Sequence, residues 1–80
     1  PWDRAQTHQT LRPFVAEEAY EVIAVLDQIH RDEQVLEPRI QSQFKEELGD
    51  LLMQVLLHSE MTRERNAFDF SDVAQALNDK

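Results

Sequence analysis

Apolar residues recur along this chain at spacings of three and four. Val15, Ala19, Val22, Leu26 and Ile29 form one run; Ile40, Phe44, Leu48, Leu51, Val55 and Leu56 form a second, widened by Leu52. At 3.6 residues per turn each run lies on one helix face, whereas a half-buried strand would alternate. The expected fold class is therefore all-α, built on two long amphipathic helices. The sequence contains only 1 Gly and 3 Pro, too few turn formers for a chain of many short strands.

The helix ends can be placed from local chemistry. Thr7 suits the N-cap of a short first turn through Leu11. Pro13 suits the first turn of a helix and not its interior, so the first long helix is expected from there to about His30. A linker is conceivable only around Asp32–Pro38. Pro38 opens the second helix, which runs to about Arg65 despite Gly49, a residue that suggests close approach by another group. Asn66 is a plausible left-handed C-cap. Asp69 or Ser71 caps a third helix, with Phe68 and Phe70 packing at the turn and Val73, Ala74 and Leu77 facing inward.

A chain of 80 residues is one domain, and its size limits it to burying about 60–65% of its unfolded surface. With 0 Cys, neither disulfides nor a thiolate metal site can supplement the core. A second chain is the expected supplement: two long helices are half a four-helix bundle, and a homodimer or higher oligomer would complete it. The whole of residues 1–80 reads as a single helical domain. Its Pro1 start, and a Lys80 end that reads as lying within a helix, lead us to expect a piece of a longer protein.

Charge narrows the function classes. There are 16 Asp+Glu against 8 Lys+Arg, for a net charge of -8. Such a chain is poorly suited to displace counterions from nucleic acid or to approach an anionic membrane, and no apolar run reaches the length of a membrane span. No nucleic-acid or membrane partner is expected. The lack of Cys and of a visible signal peptide fits a cytoplasmic location.

The acids are unevenly spread. No Lys or Arg lies between Pro13 and His30, where Glu17, Glu18, Glu21 and Asp27 occur. None lies between Glu46 and Thr62, where Glu46, Glu47, Asp50 and Glu60 occur. An ordinary solvated helix face mixes signs and gains i,i+4 pairs. Glu18 and Glu21 are three residues apart and share a face, and so do Glu47 and Asp50. Each pair sits one residue before members of its apolar stripe, so packing the stripes together would bring the pairs face to face at the edge of the core. One such pair is ordinarily surface decoration. Two pairs, both without nearby cations, would repel unless a divalent cation joined them. All-oxygen donors favour Mg²⁺, Mn²⁺ or Ca²⁺, and Mg²⁺ commonly links carboxylates to substrate phosphates. A di-iron site would want Glu-x-x-His, which the sequence lacks.

The run Glu17-Glu18-Ala19-Tyr20-Glu21, followed after 25 residues by Glu47-Leu48-Gly49-Asp50, resembles the E-E-x-x-E … E-x-x-D signature of the MazG-type all-α nucleotide pyrophosphohydrolases. Pro1-Trp2-Asp3-Arg4, Gln6-Thr7-His8, Leu11-Arg12-Pro13, Gln54-Val55, Phe68-Asp69 and Asn78-Asp79-Lys80 also fit that family. Only about Asp27–Ser42 departs, looking longer than the usual loop there. The resemblance implies an all-α dimer that hydrolyses nucleoside triphosphates to monophosphate and pyrophosphate with Mg²⁺, Mn²⁺ being an alternative, in nucleotide-pool housekeeping. It implies Glu18, Glu21, Glu47 and Asp50 as metal ligands. It also implies Glu17, Glu18 and Glu47 as the residues carrying the chemistry, with Glu17 in a supporting or water-positioning role. The family's further basic residues beyond Asn78-Asp79-Lys80 are absent here, leaving Arg4, Arg12, Lys45 and Lys80 as candidate phosphate-binding cations. Tandem copies occur in this family, so the alternative is a catalytically silent helical dimerisation or regulatory module.

The remaining residues carry weaker signals. Trp2 could stack on a base, though packing against a neighbouring chain is the simpler expectation. Tyr20, Met53 and Met61 read as packing residues, and His8 and His30 as surface residues. His58 lies two turns beyond Asp50, about 12 Å along the axis, too far to share a metal. Neither a Gly-rich phosphate loop nor a nucleophile elbow is present.

Overall fold

A computed structural model of the chain describes residues 6–80. Three α-helices follow one another: α1 (His8–Leu26), α2 (Pro38–Glu64) and α3 (Phe70–Asn78). No strand occurs among the described residues. Helices α1 and α2 pack as an antiparallel hairpin, and α3 folds back on the far end of α2. Among the described residues no helix is long and apolar enough to cross a membrane. Trp2 and Arg4 lie outside the described residues.

Helix α1 starts on a reciprocal cap. Thr7 Oγ1 accepts from the Thr10 N–H at 3.1 Å, and Thr10 Oγ1 accepts from the Thr7 N–H at 2.8 Å. The expected break before Pro13 is absent, and Pro13 lies inside the helix. Its ring removes one interior hydrogen bond, to the Gln9 carbonyl. Leu11, only 6% exposed, reaches the core because the first turn continues unbroken into the rest of α1. At the other end α1 stops at Leu26, earlier than the periodicity suggested. Tighter turns follow, with Gln28 N–H on Val25 O and Ile29 N–H on Leu26 O.

The connection is ordered by glutamines. Gln34 Oε1 accepts from the N–H groups of His30 and Arg31, and Gln34 Nε2 donates to Gln28 O. These bonds hold a 3₁₀ turn, Asp32–Leu36, where a linker was conceivable. Arg39 donates to Gln28 Oε1 across the hairpin. Pro38 is in the first turn of α2, as expected from its fixed φ.

Helix α2 ends in a Schellman motif. Asn66 has φ 60°, its N–H bonds to Arg63 O, and the Ala67 N–H bonds to Thr62 O. Asp69, not Ser71, caps α3, accepting from the Asp72 N–H at 3.0 Å. Helix α3 ends at Asn78 with Asp79 as its cap, so it does not run to Lys80.

The hairpin seam is phased differently from the two runs of apolar residues. Leu11, Val25, Ile40 and Met61 are the buried apolar residues. Along α1 the covered positions include Leu11, Val15, Glu18, Val22 and Val25, continued by Ile29 just beyond the helix, and along α2 they include Ile40, Phe44, Glu47, Leu51, Gln54, His58 and Met61. The spacing is four, three, four, three throughout, as in a two-helix seam. The expected stripe members Leu26, Leu48, Val55 and Leu56 are instead exposed. So are Tyr20, Met53 and Leu77, against their expected packing roles, and Ala74 is exposed too. A Cβ at Gly49 would meet nothing within 4 Å among the described residues, so none of them makes the close approach that glycine suggested.

These uncovered apolar residues have a measurable consequence. The accessible surface is 6369 Å², against about 5000 Å² for a compact monomer of this mass. The radius of gyration is 15.2 Å, against about 12 Å for a compact 80-residue domain.

Candidate metal centre

Two of the seam positions are glutamates. Glu18 falls between Val15 and Val22 on α1, and Glu47 between Phe44 and Leu51 on α2; both are partly buried. A helix hairpin gains most from apolar residues at such places. Here it holds carboxylates between two apolar layers. Asp50, one turn after Glu47 and more exposed, completes the group. Ligand oxygens of Glu18, Glu47 and Asp50 all lie within 4.8 Å of one another. Among the described residues no other set of three acidic or histidine side chains converges in this way.

The electrostatics follow from the placement. Partial burial raises the Glu18 carboxyl above the ordinary glutamate range, and the charges of Asp50, Glu17 and Glu21 raise it further. Partial burial also raises Glu47, followed by Glu21, Asp50, Glu46 and Glu18. No Lys or Arg offsets these charges: Arg63–Glu60 is the one ion pair among the described residues, and it lies toward the far end of α2. Clustered carboxylates that are neither protonated nor paired favour a cation. An all-oxygen donor set of three carboxylates, with room left for water or phosphate oxygens, fits Mg²⁺ or Mn²⁺.

Of the residues singled out in the sequence, Glu18, Glu47 and Asp50 are brought together. Glu21 is exposed and outside the converging group, although its charge acts on Glu47. Glu17 is exposed beside Glu18, and its charge acts on that carboxyl. Arg12, Lys45 and Lys80 are exposed and make no ion pair with the described residues.

The seam does not end at the carboxylates. Beyond Leu51 it opens into a cavity of about 390 Å³ walled by Val15, Val55, Phe68 and Val73. Gln54 and His58 also line it, one and two turns along α2 from Asp50. His58 makes a contact that the sequence reading missed. Its Nδ1 lies 2.6 Å from Nδ1 of His8, and the two rings are nearly parallel and meet edge to edge, with centroids 4.9 Å apart. His8 is exposed, as expected, and is also a partner of His58 across the hairpin. The signal was present in the antiparallel register: with Glu18 opposite Asp50, positions 8 and 58 fall nearly opposite each other.

Comparison with known proteins supplies the family. The MazG nucleotide pyrophosphohydrolase domain matches residues 6–80. The chain is 44% identical over 79 residues to the nucleoside triphosphate pyrophosphohydrolase/pyrophosphatase MazG of Thermotoga maritima, covering 99% of this chain and 27% of that protein. It is 41% identical over 80 residues to the nucleoside triphosphate pyrophosphohydrolase of Escherichia coli K12, covering 100% of this chain and 27% of that protein. It is also 36% identical over 80 residues to YabN of Bacillus subtilis, covering 14% of that protein. The chain thus spans about a quarter or less of these relatives' lengths. No solved structure matches it significantly.

Proposed function

Because the chain belongs to the MazG nucleotide pyrophosphohydrolase domain family, we propose that it hydrolyses nucleoside triphosphates to monophosphate and pyrophosphate with a divalent cation, Mg²⁺ first. The observation that carries this reading is the pair of glutamates in an otherwise apolar seam, converging with Asp50. Two relatives whose names give that activity support the same substrate class.

Glu18, Glu47 and Asp50 would hold the cation, with Glu21 a further carboxylate whose charge acts on Glu18 and Glu47. The bound cation would offset triphosphate charge, polarise phosphorus and lower the pKa of an attacking water. The reaction consumes one water: a new P–O bond forms, the bridging bond between the first and second phosphates breaks, and pyrophosphate leaves. The water's proton would pass to a carboxylate oxygen of Glu18 or Glu47 that the cation leaves free. Glu17, next to Glu18 in sequence, would act in support, helping to orient the water. The flanking Val15, Val22 and Leu51 exclude bulk solvent and so strengthen every charge interaction within the seam.

We further propose that two copies assemble. Ile23, Leu48, Leu52, Val55 and Leu56 are each at least 38% exposed on the long helices. Covering them with the same face of a second chain would build a four-helix bundle.

The experiment is single neutralisation. Glu18→Gln and Glu47→Gln should each lower metal-dependent pyrophosphate release at least a hundredfold while the protein stays folded and associated. A silent dimerisation module would show no functional change in either variant.

A further inference from the structure

The cavity next to the carboxylates presents an unusual polar inventory. Its walls are mostly apolar, yet Gln54 Oε1 and His58 Nε2, on two lining residues, are shielded from solvent and have no hydrogen-bond partner among the described residues. Such groups are costly unless something fills the role of partner. By helix rise they lie about 6 and 12 Å along the axis from Asp50. That span is of the order separating a nucleotide's phosphates from the polar edge of its base.

His58 is more than one more hydrogen-bonding group. Burial first, and then the neighbouring His8 ring, hold it below the usual histidine range, so it is neutral at pH 7. A neutral imidazole has one N–H and one bare nitrogen. Which is which at Nε2 is set by what Nδ1 does. At Nδ1 the partner is another imidazole nitrogen, 2.6 Å away. When both rings are neutral, either can be the donor: if His8 donates, His58 Nε2 carries its hydrogen and donates to a ligand; if His58 donates, Nε2 is bare and accepts.

We propose that His58 reads the base edge of the nucleotide, and that its hydrogen bond to His8 lets it serve both amino and carbonyl bases by exchanging tautomers. The inference rests on the nucleotide reading given above. It assigns a consequence to His8, a positioning residue that reaches substrate only through His58. A site with one fixed polarity rejects the opposite edge strongly, because a buried group is left unpaired. A site that can switch polarity tolerates both members of pairs such as cytosine and uracil, or adenine and hypoxanthine, which differ at one amino or carbonyl group.

The test reads the tautomer directly. Histidine ¹⁵N shifts of the Mg²⁺-loaded protein are recorded with the non-hydrolysable α,β-imido analogues of dCTP and dUTP. The expected result is His58 with hydrogen on Nδ1 in the cytosine complex and on Nε2 in the uracil complex. The same tautomer in both complexes would overturn the proposal. Kinetics supply the second arm. Wild-type kcat/KM for dCTP and dUTP should agree within about tenfold. In His8→Lys the ammonium can only donate, so Nε2 must carry the hydrogen and dUTP should gain at least about tenfold over dCTP. An unchanged ratio in that variant would also overturn it. Metal-dependent pyrophosphate release is followed in the same samples. Its absence would refute hydrolysis, whereas release with an unresponsive His58 would refute only the tautomer exchange.

Discussion

Neutralising Glu47 should make the metal-free protein more stable and the metal-loaded protein inactive. The reasoning starts from geometry. Glu18, Glu47 and Asp50 have ligand oxygens within 4.8 Å of one another, giving three pairwise repulsions. Glu47→Gln removes two of them, together with the repulsion from Glu21. It keeps the side-chain volume at a seam position between Phe44 and Leu51. Without metal, the variant should therefore melt above the wild type. With metal the order should reverse. A cation that binds only the folded state stabilises it by RT ln(1 + [L]/Kd), about 2.7 kcal/mol at a hundredfold excess over Kd. For a domain of this size that is a rise of about 10–20 °C. Loss of one of three carboxylates should abolish most of that rise. The assay is thermal unfolding by circular dichroism at fixed protein concentration, across a Mg²⁺ titration and in EDTA. Glu46→Gln, an exposed neutral control on the same turn, should leave the Mg²⁺ response intact. The reasoning is refuted if metal-free Glu47→Gln melts below the wild type, or if it keeps the full Mg²⁺ response.

Other outcomes follow from the same features. Glu18 and Glu47 are raised in the fold, so the folded state binds more protons than the unfolded one; metal-free stability should rise as pH falls from neutral toward the ordinary glutamate range, and excess Mg²⁺ should remove that dependence. His58 has the opposite sign. Its lowered pKa means stability is present above the unfolded value of about 6.5 and is lost as pH falls through it, and His58→Phe should flatten that limb of the stability curve. Val25 and Ile40 are 0% and 1% exposed, so Ile40→Ala should cost about 2–4 kcal/mol and Ile40→Val about 1 kcal/mol by urea unfolding. Asn66 sits at φ 60°; Asn66→Ala should cost about 1 kcal/mol, and Asn66→Gly should be neutral or stabilising.

The sequence revealed more about the ends of elements than about the phase of their faces. Thr7, Pro38, Asn66 and Asp69 act as punctuation in the fold because capping and left-handed geometry depend on a few adjacent residues. Pro13 misled because its local cost is outweighed by burial of Leu11 on the far side of it. The seam was misphased for a more instructive reason. A search for apolar periodicity steps over acids, so it passed from Val15 to Ala19 and from Phe44 to Leu48. The buried face instead passes through Glu18 and Glu47. The polar interruption that blurred the pattern is the candidate site itself. Exposed Leu48, Leu52 and Leu56 compounded the effect, since one sequence cannot say which of two apolar faces its own hairpin covers. The His8–His58 contact joins residues 50 apart and needed the hairpin register to be seen.

The most direct measurement is pyrophosphate release from a panel of canonical (d)NTPs by this chain, with Mg²⁺ and with EDTA, beside Glu47→Gln. If the seam carboxylates form a hydrolytic metal centre, the wild type releases pyrophosphate only with Mg²⁺, and Glu47→Gln falls at least a hundredfold. Equal release in EDTA, or undiminished release by Glu47→Gln, would contradict it.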